Sequence, residues 1–421
     1  MKAKLSYHEV VKKLEDLSIM PKTMPGLEKI RAALQHKHWF KELESEKIIT
    51  VAGTNGKGTT SAALEALLLS AGQKTGLYTS PHLITTTERI RVNGQDITQE
   101  QFVELYESNR DLITQYELTH FESLTLMAAD FFFYFNQLDY VIFEVGLGGL
   151  YDATNVFPQK TSVITKLGLD HQNILGKSIL EIAQNKFGII KDFSQVIHHQ
   201  LPVEVEELFK TTIQQTKSKS FKAEGFKLAV TKAQNPKWIL QTIWGNFETN
   251  IPGERAAENI MTALTAFQKL GFKPEEHLLS LSQIRWQGRM QKIEWPMNLN
   301  PELNCPVYLS GDHNIQGVES LIDLLRYYEW ETLHIVVGIG VDKNVEEMFE
   351  LLKKIPNSKI YLTQTPFKGR AVETYPEVIK SMALGQDDDP LKLLNSLKTN
   401  SHDIVLVTGS LYLVGLILTV L

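Results

Sequence analysis

A glycine-rich segment, Gly53–Thr60, has the residue types that bind phosphate groups. A β-branched run precedes it and a leucine-rich run follows, so it is predicted to join a strand to the N-terminus of a helix. Backbone N–H groups at such a turn can surround phosphate oxygens. Lys57 adds a positive charge, and Thr59 and Thr60 open the helix, where a hydroxyl can ligate Mg²⁺ held by a nucleotide. The segment therefore predicts a nucleotide phosphate site.

The spacing of this segment departs from the general phosphate-loop pattern, G-x-x-x-x-G-K-[ST]. Val51 stands where the first glycine belongs, and Gly58 follows the lysine. A glycine-rich surface turn without a ligand is the alternative interpretation. The flanking strand and helix favour phosphate binding, but the loop alone does not establish an activity.

Three further segments carry polar side chains at the ends of predicted strands, where an open α/β sheet gathers its ligands. Ser80, Glu144 and His171 lie in these segments and could supply oxygen and nitrogen ligands to a divalent metal ion. Glu144 ends an otherwise apolar strand, where a carboxylate needs a partner. Taken singly, Ser80 could be a turn former, Glu144 a solvated strand end and His171 a satisfied loop histidine.

The elements that position these residues alternate between short β-branched runs and amphipathic helical runs. This alternation is typical of a mostly parallel sheet with crossover helices. Leucines and aromatic residues recur at three-to-four spacing in the helical runs. The predicted strands are 48–52, 75–78, 140–145 and 162–165, and the predicted helices are 59–71, 99–114, 124–135 and 179–187.

The rest of the chain predicts a small β appendage and a second α/β series. Residues 221–247 switch to a period of two, which indicates the appendage. Further strands are predicted at 307–309, 334–337, 359–363 and 404–407, with helices starting at Gln316 and Asn344. We therefore predict an α/β fold with two domains. Residues 1–292 form a phosphate-loop-type domain with a mostly parallel sheet, and residues 293–421 form a smaller, Rossmann-like domain.

Composition limits the function classes. A length of 421 residues suits two domains that each bury a core. A net charge of −6 without a dense Lys/Arg tract argues against a nucleic-acid partner. The single cysteine, Cys305, excludes an intramolecular disulfide framework and favours the cytoplasm. The N-terminus lacks signal-peptide features, and the apolar run LYLVGLILTVL is too short to span a bilayer, so we expect a buried terminal helix and no membrane partner.

Four motifs taken together resemble those of bacterial folylpolyglutamate synthase/dihydrofolate synthase, a family of the Mur ligase superfamily. They are GTNGKGTT, YTSPH, FEVGLGGLYDATNV and the LGLDH…NKFGIIK segment. The similarity runs from about Lys22 to the C-terminal VTGSLYLVG. Gly58 after Lys57 is the form of the phosphate loop found in this family.

The resemblance implies an ATP-dependent ligase that uses ATP and Mg²⁺. The implied reaction joins L-glutamate to dihydropteroate or to reduced folates through an acyl phosphate. Phosphorylation supplies the activation, because a carboxylate oxygen is a poor leaving group. The implied partners are these small molecules, and the implied oligomeric state is a monomer.

The resemblance also implies site residues. Catalytic roles fall to Lys57, Glu144, His171 and Lys186. Metal ligands are Thr59, Ser80, Glu144 and His171. Contacts with ATP are implied for Thr54, Asn55, Gly56, Lys57, Gly58, Thr59, Thr60, Asn259, Arg289, Ser310 and Asp312. Lys186 matches a carbamylated lysine that assists a second metal ion, since a neutral amine in a partly desolvated site can take up CO₂.

The pterin or folate substrate has its own implied contacts. Thr119, Phe121 and Glu122 match the loop that receives the pterin, where an aromatic ring can stack on a flat heterocycle. Further implied contacts are Thr23, Tyr151, Asp152 and Ala153.

The chain departs from the family pattern at several of these places. The usual D-G-A-H-N run reads Ser310-Gly-Asp-His-Asn314, so position 310 has lost the carboxylate that the family places near the ATP ribose, and Asp312 has gained one. Arg255-Ala256 replaces the usual His-Gln, and Leu150 replaces an arginine. These differences affect the ribose contact and the pterin pocket.

Two alternatives remain. A cell-wall peptide ligase of the same superfamily would use a UDP-sugar peptide, which the 119–122 segment disfavours. A nucleotide-binding switch without ligase chemistry would need an N-K-x-D run, and Asn185-Lys-Phe-Gly188 lacks the aspartate.

Overall fold

A large, mostly parallel sheet organises the first part of the chain. The computed structural model describes residues 5–17, 26–284, 286–341, 343–367 and 369–421. The strands of this sheet are β1 (Ile48–Ala52), β2 (Thr75–Tyr78), β3 (Ile90–Val92), β4 (Gln95–Asp96), β5 (Tyr140–Glu144), β6 (Thr161–Ile164), β7 (Gln195–His198) and β8 (Lys219–Lys222). Their order is β4-β3-β2-β5-β1-β6-β7-β8, and the pairing is parallel from β2 to β8. β1 lies inside the sheet and is buried along its whole length, which explains why four of its five residues, all but Thr50, are apolar.

The first ten helices alternate with these strands and continue beyond them. They are α1 (Tyr7–Glu15), α2 (Glu28–Leu34), α3 (Lys57–Ser70), α4 (Gln99–Gln115), α5 (His120–Asp130), α6 (Gln172–Leu175), α7 (Ile179–Phe187), α8 (Glu206–Gln215), α9 (Glu254–Lys269) and α10 (Leu278–Ser282). The predicted helix at 179–187 is confirmed. The prediction of one helix over 124–135 is wrong at both ends: a capping box at Thr119 starts α5 earlier, and a π-helical turn, Phe131–Phe135, follows α5.

Two further sheets follow. A three-stranded sheet contains β9 (Phe226–Thr231), β10 (Lys237–Thr242) and β11 (Gly245–Thr249), which confirms the β appendage. A six-stranded sheet contains β12 (Arg289–Ile293), β13 (Val307–Ser310), β14 (Leu333–Val337), β15 (Ser358–Leu362), β16 (Gly385–Gln386) and β17 (Ile404–Thr408). Its order is β12-β13-β17-β14-β15-β16, and only the β12–β13 pairing is antiparallel. The helices after β12 are α11 (Ile315–Leu325), α12 (Val345–Leu352), α13 (Glu377–Met382), α14 (Pro390–Asn395) and α15 (Leu411–Leu418).

The chain divides into two compact units. One contains Met1–Phe226, Ile243–Gly245 and Glu258–Leu281, and the other contains Lys227–Thr242, Asn246–Ala257 and Ser282–Leu421. The second unit therefore begins before the predicted boundary at 293, because β12 pairs with β13. Most of the appendage also belongs to it, and the Tyr308 hydroxyl donates to the Gln234 carbonyl at 2.9 Å.

The apolar C-terminal run forms α15, and Leu413, Val414 and Ile417 are fully buried, as predicted for a terminal core helix. Among the described residues, no helix has the length and apolar character needed to cross a membrane.

Candidate functional site

The phosphate loop joins β1 to α3, as predicted. Gly56 precedes α3 with a φ of 96°, and a Cβ at this position would lie 2.1 Å from Oδ1 of Asn259, so glycine is required. The Thr54 amide donates to the Lys166 carbonyl at 2.9 Å, and Thr54 Oγ1 donates to the Gly168 carbonyl at 2.9 Å. These bonds attach the loop to the segment after β6 and hold the N-terminus of α3 at the edge of the sheet.

Two lysine side chains converge on the Gly53 carbonyl. Lys186 Nζ donates to this oxygen at 2.8 Å and Lys57 Nζ at 3.3 Å. Lys186 is only 4% exposed, and burial, together with the nearby Lys57 charge, lowers its pKa to about 7. The loop thus has one amine that loses its proton near neutral pH.

The glycine-rich segment after β5 positions Lys186. The Leu150 amide donates to the Asn185 carbonyl at 2.7 Å. A Cβ on Gly149 would lie 2.8 Å from that carbonyl oxygen and 3.0 Å from Cα of Lys186. A larger residue at 149 would push α7 away from the loop, so the G-L-G-G and N-K-F-G motifs are two sides of one contact.

Two of the predicted metal ligands lie together because β2 and β5 are parallel neighbours. Glu144 is 4% exposed, and its Oε2 accepts a hydrogen bond from the Ser80 amide at 3.1 Å. His171 is the residue before α6, with a φ of 50°, and its Nε2 lies 4.0 Å from Oδ2 of Asp170.

The donor set suits Mg²⁺. Within the described ranges, no three histidine, cysteine or carboxylate side chains are grouped to hold a metal ion. Mg²⁺ keeps several waters and takes one or two carboxylates together with the phosphates of its nucleotide, so it does not need such a group. Glu144 and Ser80, at neighbouring strand ends, carry oxygen donors of this kind. The metal-ligand roles of Thr59, Ser80, Glu144 and His171 stay predictions. The Thr60 hydroxyl instead donates to the Asn259 carbonyl at 3.4 Å and connects α9 to the loop.

In the predicted pterin-receiving segment, Thr119 and Glu122 stabilise the start of α5, whereas Phe121 packs on neighbouring residues. Thr119 and Glu122 form the capping box of α5, in which Glu122 Oε2 accepts from the Thr119 hydroxyl at 2.8 Å and amide at 2.9 Å. Phe121 lies between them in sequence. Its ring sits over Gly146, where an added Cβ would be 2.5 Å from Cζ, and lies 5.7 Å from the Tyr78 ring. Phe121 is therefore held at a defined position by a glycine and an aromatic neighbour.

The three residues 151–153 differ in their exposure to solvent and in their hydrogen bonds. Asp152 is 3% exposed, and its carboxylate accepts from the Leu147 amide at 2.8 Å and from the Thr154 hydroxyl at 2.6 Å. Burial raises the pKa of Asp152. Ala153 is buried and Tyr151 is 46% exposed. Asp152 thus shapes the loop after β5, and Tyr151 is accessible to a ligand. Thr23 lies outside the described residues.

Sequence reasoning missed a buried cation near this segment. Arg89 is 8% exposed, and its Nε donates to Nδ1 of His82 at 2.9 Å. Burial, together with the charge of Arg89, lowers the pKa of His82 to about 3, so His82 is neutral. Within the described part of the chain, Arg89 forms no ion pair with a carboxylate. In the sequence, the indication of this buried cation is an arginine that directly follows Glu88 and directly precedes the short strand β3.

The second unit brings the departures from the family pattern together. Asp312 Oδ1 accepts from Arg255 Nη2 at 2.7 Å, and Asp312 Oδ2 accepts from the Ser310 hydroxyl at 2.6 Å. Burial opposes ionisation of Asp312, but Arg255, Ser310 and Arg289 outweigh it and lower the pKa of the carboxyl group. The changes at 255, 310 and 312 therefore form one hydrogen-bonded unit. Nucleotide contacts for Arg289, Ser310 and Asp312 stay a prediction.

Comparison with known proteins identifies the family. The family model of the Mur ligase middle domain matches residues 51–267. The dihydrofolate synthase/folylpolyglutamate synthase of Bacillus subtilis is 31% identical over 382 residues, which cover 87% of this chain and 88% of that protein. The chain belongs to the dihydrofolate synthase/folylpolyglutamate synthase family.

Other relatives agree with this assignment. The dihydrofolate synthetase of Saccharomyces cerevisiae is 29% identical, with 94% of this chain and 97% of that protein covered. A crystal structure of a bifunctional folylpolyglutamate synthase/dihydrofolate synthase with Mn, AMPPNP and L-glutamate bound superposes with a TM-score of 0.82 and 25% identity, covering 100% and 99% of the two chains. The predicted family and α/β fold are confirmed, and the chain is an ATP-dependent ligase that uses ATP and a divalent metal ion.

Proposed function

We propose that this ligase adds L-glutamate to dihydropteroate, to reduced folates, or to both, through an acyl phosphate. The observation that carries the proposal is the phosphate loop before α3, where Lys57 supplies a positive charge and the amine of Lys186, with its pKa lowered to about 7, donates to the same Gly53 carbonyl. A charged carboxylate and the γ-phosphate of ATP repel each other, so the reaction needs positive charge where they meet. Glu144 and Ser80 stand at neighbouring strand ends, where a metal ion could add to that charge.

The first step transfers a phosphoryl group. A carboxylate oxygen of the acceptor attacks the γ-phosphorus of ATP, the bond to the bridging oxygen breaks, and ADP leaves. Gly56 and the first turn of α3 orient the phosphates through backbone N–H groups, and Lys57 neutralises their charge. Mg²⁺ held by Glu144, Ser80 and Thr59 would supply Lewis-acid stabilisation of the phosphate oxygens.

The second step forms the amide. The neutral amine of glutamate attacks the acyl carbon, the C–O bond to phosphate breaks, and the amine nitrogen loses a proton to the surrounding solvent or a basic group. His171, at the end of the segment after β6, is our candidate for positioning the phosphate or metal during this step. No covalent enzyme nucleophile is required.

Phe121 is proposed to bind the flat heterocycle of the acceptor. Its ring is held over Gly146 and beside Tyr78, so it can offer a face for stacking at little cost in side-chain entropy. Thr119 and Glu122 then support Phe121 through the capping box, and Tyr151 and Ala153 would form the neighbouring wall.

Phosphate release tests the proposal. Release from ATP should require an acceptor, either dihydropteroate or tetrahydrofolate, and glutamate together, and one amide should form for each phosphate released. Measuring the two acceptors side by side decides between one activity and two, since relatives are named for either or both. Steady release with neither substrate, or with a UDP-sugar peptide alone, would refute the proposal in favour of a switch protein or a cell-wall ligase.

We also propose a cytoplasmic monomer without nucleic-acid or membrane partners. The acidic net charge and the single cysteine support this. Sedimentation at micromolar concentration would test the oligomeric state.

A further inference from the structure

A carboxylate lies beside the phosphate loop without a role in the proposed reaction. Glu258 Oε2 is 3.4 Å from Nε2 of His199 and 3.9 Å from Nζ of Lys166. The Glu258 side chain is 25% exposed, whereas that of His199 is only 5% exposed. The carboxylate is thus oriented by two basic side chains and still reachable from solvent.

The position of these side chains follows from the sheet. His199 comes directly after β7, and Lys166 follows β6 by two residues. β6 is the neighbour of β1, whose end carries the phosphate loop. The group therefore lies at the carboxyl ends of adjacent parallel strands, the edge where such sheets bind ligands.

Short connections join this group to the phosphate loop. The Lys166 carbonyl accepts from the amides of Thr54 and Asn55, at 2.9 and 3.4 Å. Asn259, the residue after Glu258, covers Gly56. Ribose and base extend roughly 10 Å from the phosphates of a nucleotide, the length of about three extended residues. We take the base of a nucleotide with its phosphates at Gly56 to extend along this edge towards Glu258.

We propose that Glu258 selects adenine as the base of the nucleotide. An ionised carboxylate only accepts hydrogen bonds, and the 6-amino group of adenine donates them. A 6-oxo purine presents an acceptor at the same position, which a carboxylate repels. This inference rests on the proposed function, in which the phosphates of ATP bind at the phosphate loop.

The neighbours of Glu258 support the acceptor role. Burial, with the charge of Lys166, lowers the pKa of His199 to about 4, so the imidazole is neutral at physiological pH. It can orient the carboxylate without cancelling its charge. Lys166 is nearer to solvent, with 37% of its side chain exposed. A purely structural role for the group would connect α9 to β6 and β7 but would not discriminate between bases.

Calorimetric binding of ATP and inosine triphosphate to the full chain with Mg²⁺ tests the proposal. We expect the wild type to prefer ATP by about tenfold or more, the effect of one charge-assisted hydrogen bond. Glu258→Gln should bring the two affinities within about threefold, because the side-chain amide can donate to the 6-oxo group. An unchanged ratio in a folded Glu258→Gln protein would overturn the assignment.

Further variants separate specificity from structure. Glu258→Asp keeps an acceptor and should retain a preference for ATP with weaker binding. Lys166→Met removes one of the two side chains that orient the carboxylate and should weaken the preference for ATP without abolishing it, while a preference equal to that of the wild type in a folded Glu258→Ala protein would refute a direct role for the carboxylate. If the wild type binds no ATP, the proposed function fails; if it binds ATP and forms the amide with a ratio independent of Glu258, only this inference fails.

Discussion

The buried amine of Lys186 leads to a prediction about CO₂. Its pKa falls from 10.5 to about 7. At pH 7 about half of the amine is then neutral, against about 1 in 3000 for an ordinary lysine, because each unit of pKa changes the ratio tenfold. Only the neutral amine attacks CO₂, so carbamate formation at this residue should be favoured by about three orders of magnitude. The product is a carboxylate-like ligand beside the phosphate loop.

The perturbation is removal of bicarbonate. Enzyme prepared and assayed under CO₂-free buffer at pH 7 should lose most of its substrate-dependent phosphate release, and bicarbonate should restore it. Lys186→Ala should be inactive with bicarbonate, and a short-chain carboxylic acid should restore part of its activity by replacing the missing ligand. Carbon-13 NMR of protein equilibrated with labelled bicarbonate should show a carbamate signal.

Lys191 provides the matched control. It is a partly buried lysine, and this burial lowers its pKa to about 8, but its Nζ donates to the Asn155 carbonyl and side chain rather than to the loop. Lys191→Arg should keep the carbamate signal, whereas Lys186→Arg should abolish it. A signal that survives Lys186→Arg, or full activity without CO₂, would refute the reasoning and leave Lys186 as a cation for phosphate.

Four other outcomes follow from the structure. Glu144→Gln should stay folded, since an amide oxygen can still accept from Ser80 N, but should lose Mg²⁺-dependent nucleotide binding, measured by calorimetry; normal binding would exclude a metal role. Gly56→Ala should cost about 1–3 kcal/mol of unfolding free energy because of its positive φ and its contact with Asn259, measured by urea unfolding. Thr119→Ala should cost about 1 kcal/mol through loss of the cap of α5, with little change in the KM for ATP. Because the pKa of Asp312 is lower in the folded protein than the ordinary value of 3.8, its ionised carboxylate stabilises the fold at pH values above 3.8, and this stabilisation is lost as the pH falls through the lowered pKa. The difference in unfolding free energy between wild type and Asp312→Asn should therefore shrink as the pH falls below 3.8. A pH-independent difference would remove the ionised carboxylate from the explanation.

Local patterns sufficed for the four central strands of the first sheet, β2, β5, β1 and β6. β1 and β2 match the prediction at both ends, since buried parallel strands are short apolar runs bounded by glycine and polar residues. Helix starts were harder. α3 begins at Lys57 rather than at 59, because Gly56 takes the left-handed conformation and ends the loop there. α5 starts after Thr119, because Thr119 and Glu122 form a capping box. The sequence contains this box, but the family resemblance assigns both residues to substrate binding.

Contacts between distant segments were beyond the reach of the sequence pattern. Arg255 and Asp312 are 57 residues apart, and each was noted only as a separate departure from the family. Their ion pair becomes visible when the first turn of α9 is placed beside the segment after β13. Arg89 was missed for a related reason: its hydrogen bond to His82 forms across a loop, residues 83–85, whose amides donate to Glu88, and the sequence pattern does not show this loop conformation.

The phosphate loop itself gives the strongest case of this limit. Its sequence contains one lysine, and one lysine is what the general pattern requires. The fold adds a second amine from 133 residues away, at the shorter distance to Gly53, and buries it so that its charge is not permanent. The irregular spacing around Gly58 therefore accompanies a loop whose second amine comes from α7, and Gly149 is needed for this contact because a Cβ there would meet the backbone of Asn185 and Lys186. A substitution at Gly149 that moves α7 should affect phosphate chemistry without touching the loop sequence.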